Sequence, residues 1–162
     1  PEEGELRPQL LDRFGLSVEV ASPHDIDTRV EVMRRRDAFD RDPRGFLKLW
    51  KPQDAQLRQD ILAARKALPK MSTSENTLTD CAALCIALGS DGLRGELTLL
   101  KAARAAAAFE GAKTVERAHL RRVAAMALGH RLRRDPMDES GSAARVERIV
   151  ADTLGPVRVA AE

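Results

Sequence analysis

The sequence predicts a mainly α chain: a helical domain preceded by one short helix and one strand that form the last edge of an α/β core. Three observations carry this prediction. Apolar residues recur at three- and four-residue spacing through most of the chain, the period of helices buried on one face. Gly and Pro punctuate these stripes, where they start or stop helices. Alternation with a period of two occurs at Leu16, Val18 and Val20, and one strand makes no sheet by itself.

With 162 residues the chain is long enough for one ordinary core. Hydrophobic residues make up 43% but aromatics only 3%, with no Tyr, so that core must be built from Leu, Ala, Val and Ile. The 27 basic and 25 acidic residues leave a formal net charge of +2, which gives no overall case for nucleic acid or an anionic membrane. No apolar run approaches the roughly 18 residues of a membrane span, and no signal-peptide pattern opens the chain. Cys81 and Cys85 stand one helical turn apart, a poor geometry for a disulfide and too few ligands for zinc. His24, His119 and His130 are far apart and add no metal-ligand spacing, so no metal site is expected. Buried reduced thiols are expected instead, and with them a cytoplasmic location.

In chain order, Pro8 opens a short helix ending at Phe14, and Gly15 turns the chain into the strand. Arg13 stands near the end of that helix, flanked by Leu10, Leu11 and Phe14, which are expected to pin it to a core. An arginine so anchored, just before a glycine turn, is placed to reach a neighbour. Ser22 is expected to cap the next helix, with Pro23 in its first position and Asp25 in its first turn. Ile26, Val30 and Met33 share one face of that helix, and Arg34, Arg35 and Arg36 follow, as a solvated helix end or as a phosphate or partner contact.

Asp42-Pro43 restarts a helix through Phe46, Leu47 and Trp50; Lys51-Pro52 is expected to break it and begin another, striped by Leu57, Ile61, Ala64 and Leu68. Lys70 to Asn76 reads as a loop with a Ser or Thr cap. The following apolar helix, with Leu78, Ala82, Cys85 and Leu88 in line, should be the most buried, and Gly89 stops it. Ser90 or Asp91 is expected to cap the next helix, with Leu93, Leu97 and Leu100 inside.

Arg94 falls in that helix's first turn, where a cation opposes the helix dipole. It suggests something anionic nearby, either a carboxylate of the same fold or a bound phosphate. Ala102, Ala103 and Ala105 to Ala108 favour helix and close packing. Thr114 is expected to cap a helix striped by Leu120, Val123, Ala124, Ala127 and Leu128, which ends in HRLRRDP with Arg131, Arg133 and Arg134 at the favourable end of the dipole. A last amphipathic helix runs from Ser142 to Leu154, followed by a loose tail.

Three motifs in this order, PEEGELRPQLLDRFGLSVEV, GSDGLRGELTLLKAARAAAA and HRLRRDP, resemble the ATPase subunit I of magnesium chelatase, an AAA+ family of chlorophyll and bacteriochlorophyll synthesis. The likeness covers all but the last few residues. It implies an AAA+ helical lid behind the edge of the ATPase core, divided as residues 1–21 for that edge, 22–72 for connecting helices, 73–155 for the lid and 156–162 for the tail. It also implies that Arg13, the Arg of LLDRF, is an arginine finger reaching the γ-phosphate of ATP in the next subunit of a ring. Arg94, the Arg of GLRGE, matches the family's sensor-2 arginine. The extra helices before it leave open whether it serves its own subunit's nucleotide or a neighbour's.

The implied assembly is a homo-oligomeric ring, expected to be hexameric. It works with a second AAA+ protein, the D component of magnesium chelatase, and transiently with the large porphyrin-binding H component. ATP and Mg²⁺ are used to drive metal insertion into protoporphyrin IX. The sequence contains no G-x-x-x-x-G-K-[ST] phosphate loop. The chain is therefore expected to correspond to the C-terminal portion of the ATPase, neither binding ATP tightly nor hydrolysing it alone.

A MoxR-like chaperone ATPase shares versions of LLDRF and is the nearest rival. A helical adapter or nucleic-acid-binding module using the basic clusters near Arg35 and Arg133 is a second, against which stand the balanced charge and the lack of stacking aromatics. A third is a bundle in which Arg13 and Arg94 merely pair with local carboxylates.

Overall fold

Side-chain caps set where three helices of this chain begin, those starting at Ile26, Glu75 and Arg117. The computed structural model describes residues 10, 13–18, 20–90, 92–132 and 142–155. Among them run α1 (Ile26–Arg41), α2 (Pro43–Ala67), a 3-10 turn at Leu68–Lys70, β1 (Ser72–Thr73), α3 (Glu75–Ala87) and α4 (Arg94–Phe109). There follow β2 (Thr114–Val115), α5 (Arg117–Leu128), a second 3-10 turn at Gly129–Arg131 and α6 (Ser142–Leu154). The fold is mainly α, as the sequence predicts. Most of the Pro8–Phe14 helix, the Asp91 cap, Arg133, Arg134 and the tail lie outside the described residues.

The chain forms two compact units, Glu19–Ala63 and the remainder, Pro1–Val18 with Ala64–Glu162. In the first, Asp25 rather than Ser22 caps α1: its carboxylate accepts from the Thr28 N–H at 2.7 Å. Pro23 stays outside the helix, and its carbonyl accepts from Arg29 Nε at 2.6 Å. A charged oxygen suits the positive end of a helix better than a neutral hydroxyl. The basic run is absorbed along α1, with Glu31 pairing Arg34 at 2.7 Å and Arg35 at 2.8 Å, and Asp40 pairing Arg36 at 2.8 Å. These are the short-range pairs of a solvated helix, each contributing a few tenths of a kcal/mol or about that.

Phe46 meets Phe39 edge-on at 5.7 Å and Trp50 at 5.9 Å, and the Arg35 guanidinium covers the Trp50 ring at 4.5 Å. Pro52 does not break α2, which runs through it. The residues around it are exposed, so water can take the carbonyl that the missing N–H leaves unbonded.

In the second unit, Ser74 caps α3 by accepting from the Thr77 N–H at 3.2 Å. Cys85 and Leu88 of the expected line are buried, but Leu78 and Ala82 are exposed, and Thr77, Cys81 and Leu84 complete the buried face of α3 instead. An all-apolar helix carries no periodic mark of its inner face. Here the Thr77 hydroxyl fixes it, donating to the Val115 carbonyl at 3.0 Å. Cys81 and Cys85 are buried free thiols, and Gly89 takes a positive φ of 67° after the helix, as expected.

Thr114 is not a cap but part of β2, paired parallel with Ser72 of β1. Glu116 caps α5 instead, in a box closed by His119, whose Nδ1 accepts from the Glu116 N–H at 2.9 Å. α5 buries the stripe the sequence predicts and packs against α3, α4 and α6. α6 contributes Val146 and Val150 to the same core. The strand expected at Leu16–Val20 is not formed among the described residues of that stretch, which have no strand partner. Its backbone tie is the Ser17 N–H, which donates to the Met126 carbonyl at 2.9 Å.

Candidate functional site

Arg94 is the first residue of α4, and its side chain is exposed. Leu93 occupies the cap position, where the structure gives no side-chain cap bond, so the expected cap by Ser90 is corrected. The expected inner line is corrected in part: Leu100 packs half-buried against the core, but Leu93 is 73% exposed and Leu97 54%, while Gly95, Leu99, Ala103 and Ala107 are buried. The small residues win because they let α4 approach α5 closely. Gly95 shows how closely: a Cβ there would stand 2.4 Å from Ser90 Oγ and 3.4 Å from Leu128 Cδ2. This rotation puts Arg94 on the outer side of the turn, beside the C-terminal end of α5.

Arg13 is also exposed, and its N–H donates to the Leu10 carbonyl at 3.0 Å. Of the expected apolar anchors, Leu10 is 49% exposed and Phe14 54%, too open to pin it to a core, and Leu11 lies outside the described residues. Hydrogen bonds hold the segment instead. Arg131 Nη2 donates to the Phe14 carbonyl at 2.7 Å, and His130 Nε2 faces the same oxygen at 3.1 Å. Arg131 Nε donates to the Ala127 carbonyl at 3.0 Å, in the last turn of α5. The structure therefore brings the Arg13 segment and the start of α4 to the same end of one helix, α5.

His130 and Arg131 are the residues that the sequence undervalued. Arg131 reads there only as a cation complementing a helix dipole, and its bond to Ala127 fits that reading. The second acceptor, on a residue 117 positions away, leaves no periodic signal.

Arg117 shows how a first-turn cation can be satisfied within the fold. Its Nε and Nη2 donate to the Asp80 carboxylate at 2.6 and 2.9 Å. That hydrogen bond, followed by the Asp80 charge, raises the Arg117 pKa above its ordinary value.

Below this surface, Cys81 Sγ donates to the Glu96 carbonyl at 3.5 Å. The hydrogen bond with Cys81, then burial and the nearby Glu96 charge, push the Cys85 thiol far up, so it stays protonated in the folded state. Such a thiol is packing material and not a nucleophile.

The AAA lid domain family matches residues 78–152, from α3 into α6. The chain is 70% identical over 154 residues to the magnesium-chelatase 38 kDa subunit of Cereibacter sphaeroides, covering 95% of this chain and 46% of that protein. It is 68% identical over 154 residues to the subunit of the same name from Rhodobacter capsulatus, covering 95% of this chain and 44% of that protein. The counterpart from Acidiphilium rubrum is 58% identical over 160 residues, covering 99% of this chain and 46% of that protein. The chain thus spans less than half the length of these curated relatives.

Proposed function

We propose, for a chain that belongs to the family of magnesium-chelatase AAA+ ATPase subunits, that it carries the two arginines with which such a subunit handles ATP phosphates in a ring. Arg13 is the arginine finger, acting in trans on the nucleotide of the adjacent subunit. Arg94 is the sensor-2 arginine of the lid. The observation that carries the reading is geometric: both arginines are exposed, and the residues that follow them, Phe14 and Gly95, meet the same end of α5, in the unit to which the lid family matches.

The chemistry suits these residues. A guanidinium stays charged at any working pH and presents paired planar donors to phosphate oxygens. In phosphoryl transfer, charge spreads over the transferred oxygens, and catalysis consists mostly of positioning and neutralising that charge. Arg13 supplies such neutralisation from outside the site it serves, so hydrolysis depends on assembly. Arg94, at the start of α4, makes the lid respond to the phosphates. This chain's own sequence holds no phosphate loop, so these two contacts are what it adds to an ATP and Mg²⁺ site built elsewhere in the assembly.

Assembly into a homo-oligomeric ring fits the surface as well. Ile26, Met33, Leu47 and Leu49 of α1 and α2 are exposed, and no residue of those helices is buried. Exposed apolar side chains such as these are surface that a neighbouring subunit could cover. The ring, working with the D and H components of the chelatase, would couple ATP turnover to Mg²⁺ insertion into protoporphyrin IX. Among the described residues no helix is long and apolar enough to cross a membrane, and the proposed setting is the cytoplasm.

Steady-state ATP hydrolysis and ATP binding by the full-length protein test the reading. Arg13→Ala should lower kcat by about 10³-fold or more while ATP still binds, the loss expected for a finger supplied in trans. Arg94→Ala should weaken nucleotide binding as well as turnover. Unchanged hydrolysis in both variants would refute both assignments and favour arginines that serve only the fold.

A further inference from the structure

The segment next to Arg13 is held almost wholly by polar ties. Phe14, Leu16 and Val18 expose half or more of their surface, so apolar burial fixes little of it. Among the described residues, two backbone groups tie it down: the Phe14 carbonyl, engaged by Arg131 and His130, and the Ser17 N–H, engaged by the Met126 carbonyl. Arg131 is the stiffest of these links. Its guanidinium donates through Nε to Ala127 and through Nη2 to Phe14, so one rigid plane spans the last turn of α5 and the residue after Arg13. A lysine has one nitrogen and cannot hold both acceptors in that geometry.

We propose that Arg131, with His130 beside it, is a positioning residue for the arginine finger. It fixes the Phe14 carbonyl relative to α5 and so sets the stem from which Arg13 reaches the neighbouring nucleotide. This rests on the reading of Arg13 as a finger. Misplacing a catalytic group by about 1 Å can cost about 10²-fold in rate, so a loosened stem should be felt in turnover and not in ATP binding.

The test is a double-mutant cycle on the full-length protein, reading kcat and KM for ATP together with helix content and the melting temperature. Arg131→Ala should lower kcat by about ten- to a hundredfold with KM nearly unchanged. It should cause no further loss in an Arg13→Ala background. Arg131→Lys should fall between, and His130→Ala should cost a few-fold; these two variants carry the test if Arg131→Ala does not fold. Full kcat in Arg131→Ala beside an impaired Arg13→Ala overturns the positioning role alone. Losses that multiply in the double variant overturn it too, because Arg131 then acts by another route. An Arg13→Ala ring of full activity overturns the finger reading and this proposal with it.

Discussion

Arg131 Nη2 lies 2.7 Å from the carbonyl oxygen of Phe14, across 117 positions of the chain. The bond makes the Arg13 segment part of the surface at the C-terminal end of α5. Gly95 lies at the same end, where a Cβ on it would stand 3.4 Å from Leu128 Cδ2. The way this end of the bundle is built can be probed one contact at a time.

His119 closes the capping box of α5 and is nearly buried, with Nδ1 accepting from the Glu116 N–H and Nε2 3.6 Å from Glu110 Oε2. His119→Ala removes a cap and leaves a backbone donor without its acceptor, so it should destabilise the fold by about 1–2 kcal/mol. His119→Gln, whose side chain can also close a capping box, should cost less. Thermal unfolding of both variants checks the order.

Gly95 sits where a Cβ would press on Ser90 Oγ. Gly95→Ala should therefore destabilise by about 1–3 kcal/mol through overpacking. Removing the opposing oxygen in a Ser90→Ala background should recover part of that loss. Equal costs in the two backgrounds, measured by denaturant unfolding, would show that the strain lies elsewhere.

α1 should soften in acid. Its cap Asp25 has a pKa held below the usual value, first by its hydrogen bonds with Thr28, and Glu31 is held down by hydrogen bonds with Arg35 and then Arg34. A carboxylate with a depressed folded pKa stabilises the fold above the unfolded value of about 4, and that contribution is lost as pH falls through the folded value. Helix content should fall on acidification below about pH 4. Asp25→Asn with Glu31→Gln should flatten that part of the titration.

Much of the fold was legible because it is written in periods. The α5 stripe from Leu120 to Leu128 and the α6 helix from Ser142 stand as expected, since each has one apolar face and an opposite polar one. α3 and α4 stand where expected, but Leu78, Ala82, Leu93 and Leu97 of their expected inner lines face outward. Where nearly every residue is small or apolar, as from Leu78 to Leu88 and from Leu97 to Ala108, periodicity cannot say which side packs. The deciding facts were long-range: the Thr77 hydroxyl on Val115, and the fit of Gly95 against Leu128. The short pairing of Ser72 with Thr114 leaves no mark in the sequence because two residues have no period.

The site divides in the same way. Arg13 and Arg94 stood out in the sequence through their motifs, and Arg94 also through its position against a helix dipole. What holds the Arg13 segment did not stand out. Leu10 and Phe14 looked like anchors because they are apolar, and both are half-exposed. The anchors are donors on His130 and Arg131, and hydrogen bonds between distant residues are not written in local composition.

Action of Arg13 on a neighbour's nucleotide is tested most directly by mixing two inactive proteins. One is the full-length protein carrying Arg13→Ala, the other the full-length protein with an inactivated phosphate loop, and ATP hydrolysis is followed across mixing ratios. Each variant alone should be nearly inactive, and mixed rings should regain turnover where an intact loop faces an intact finger. Full activity in the Arg13→Ala ring alone, or no recovery in rings shown to mix, would contradict action in trans.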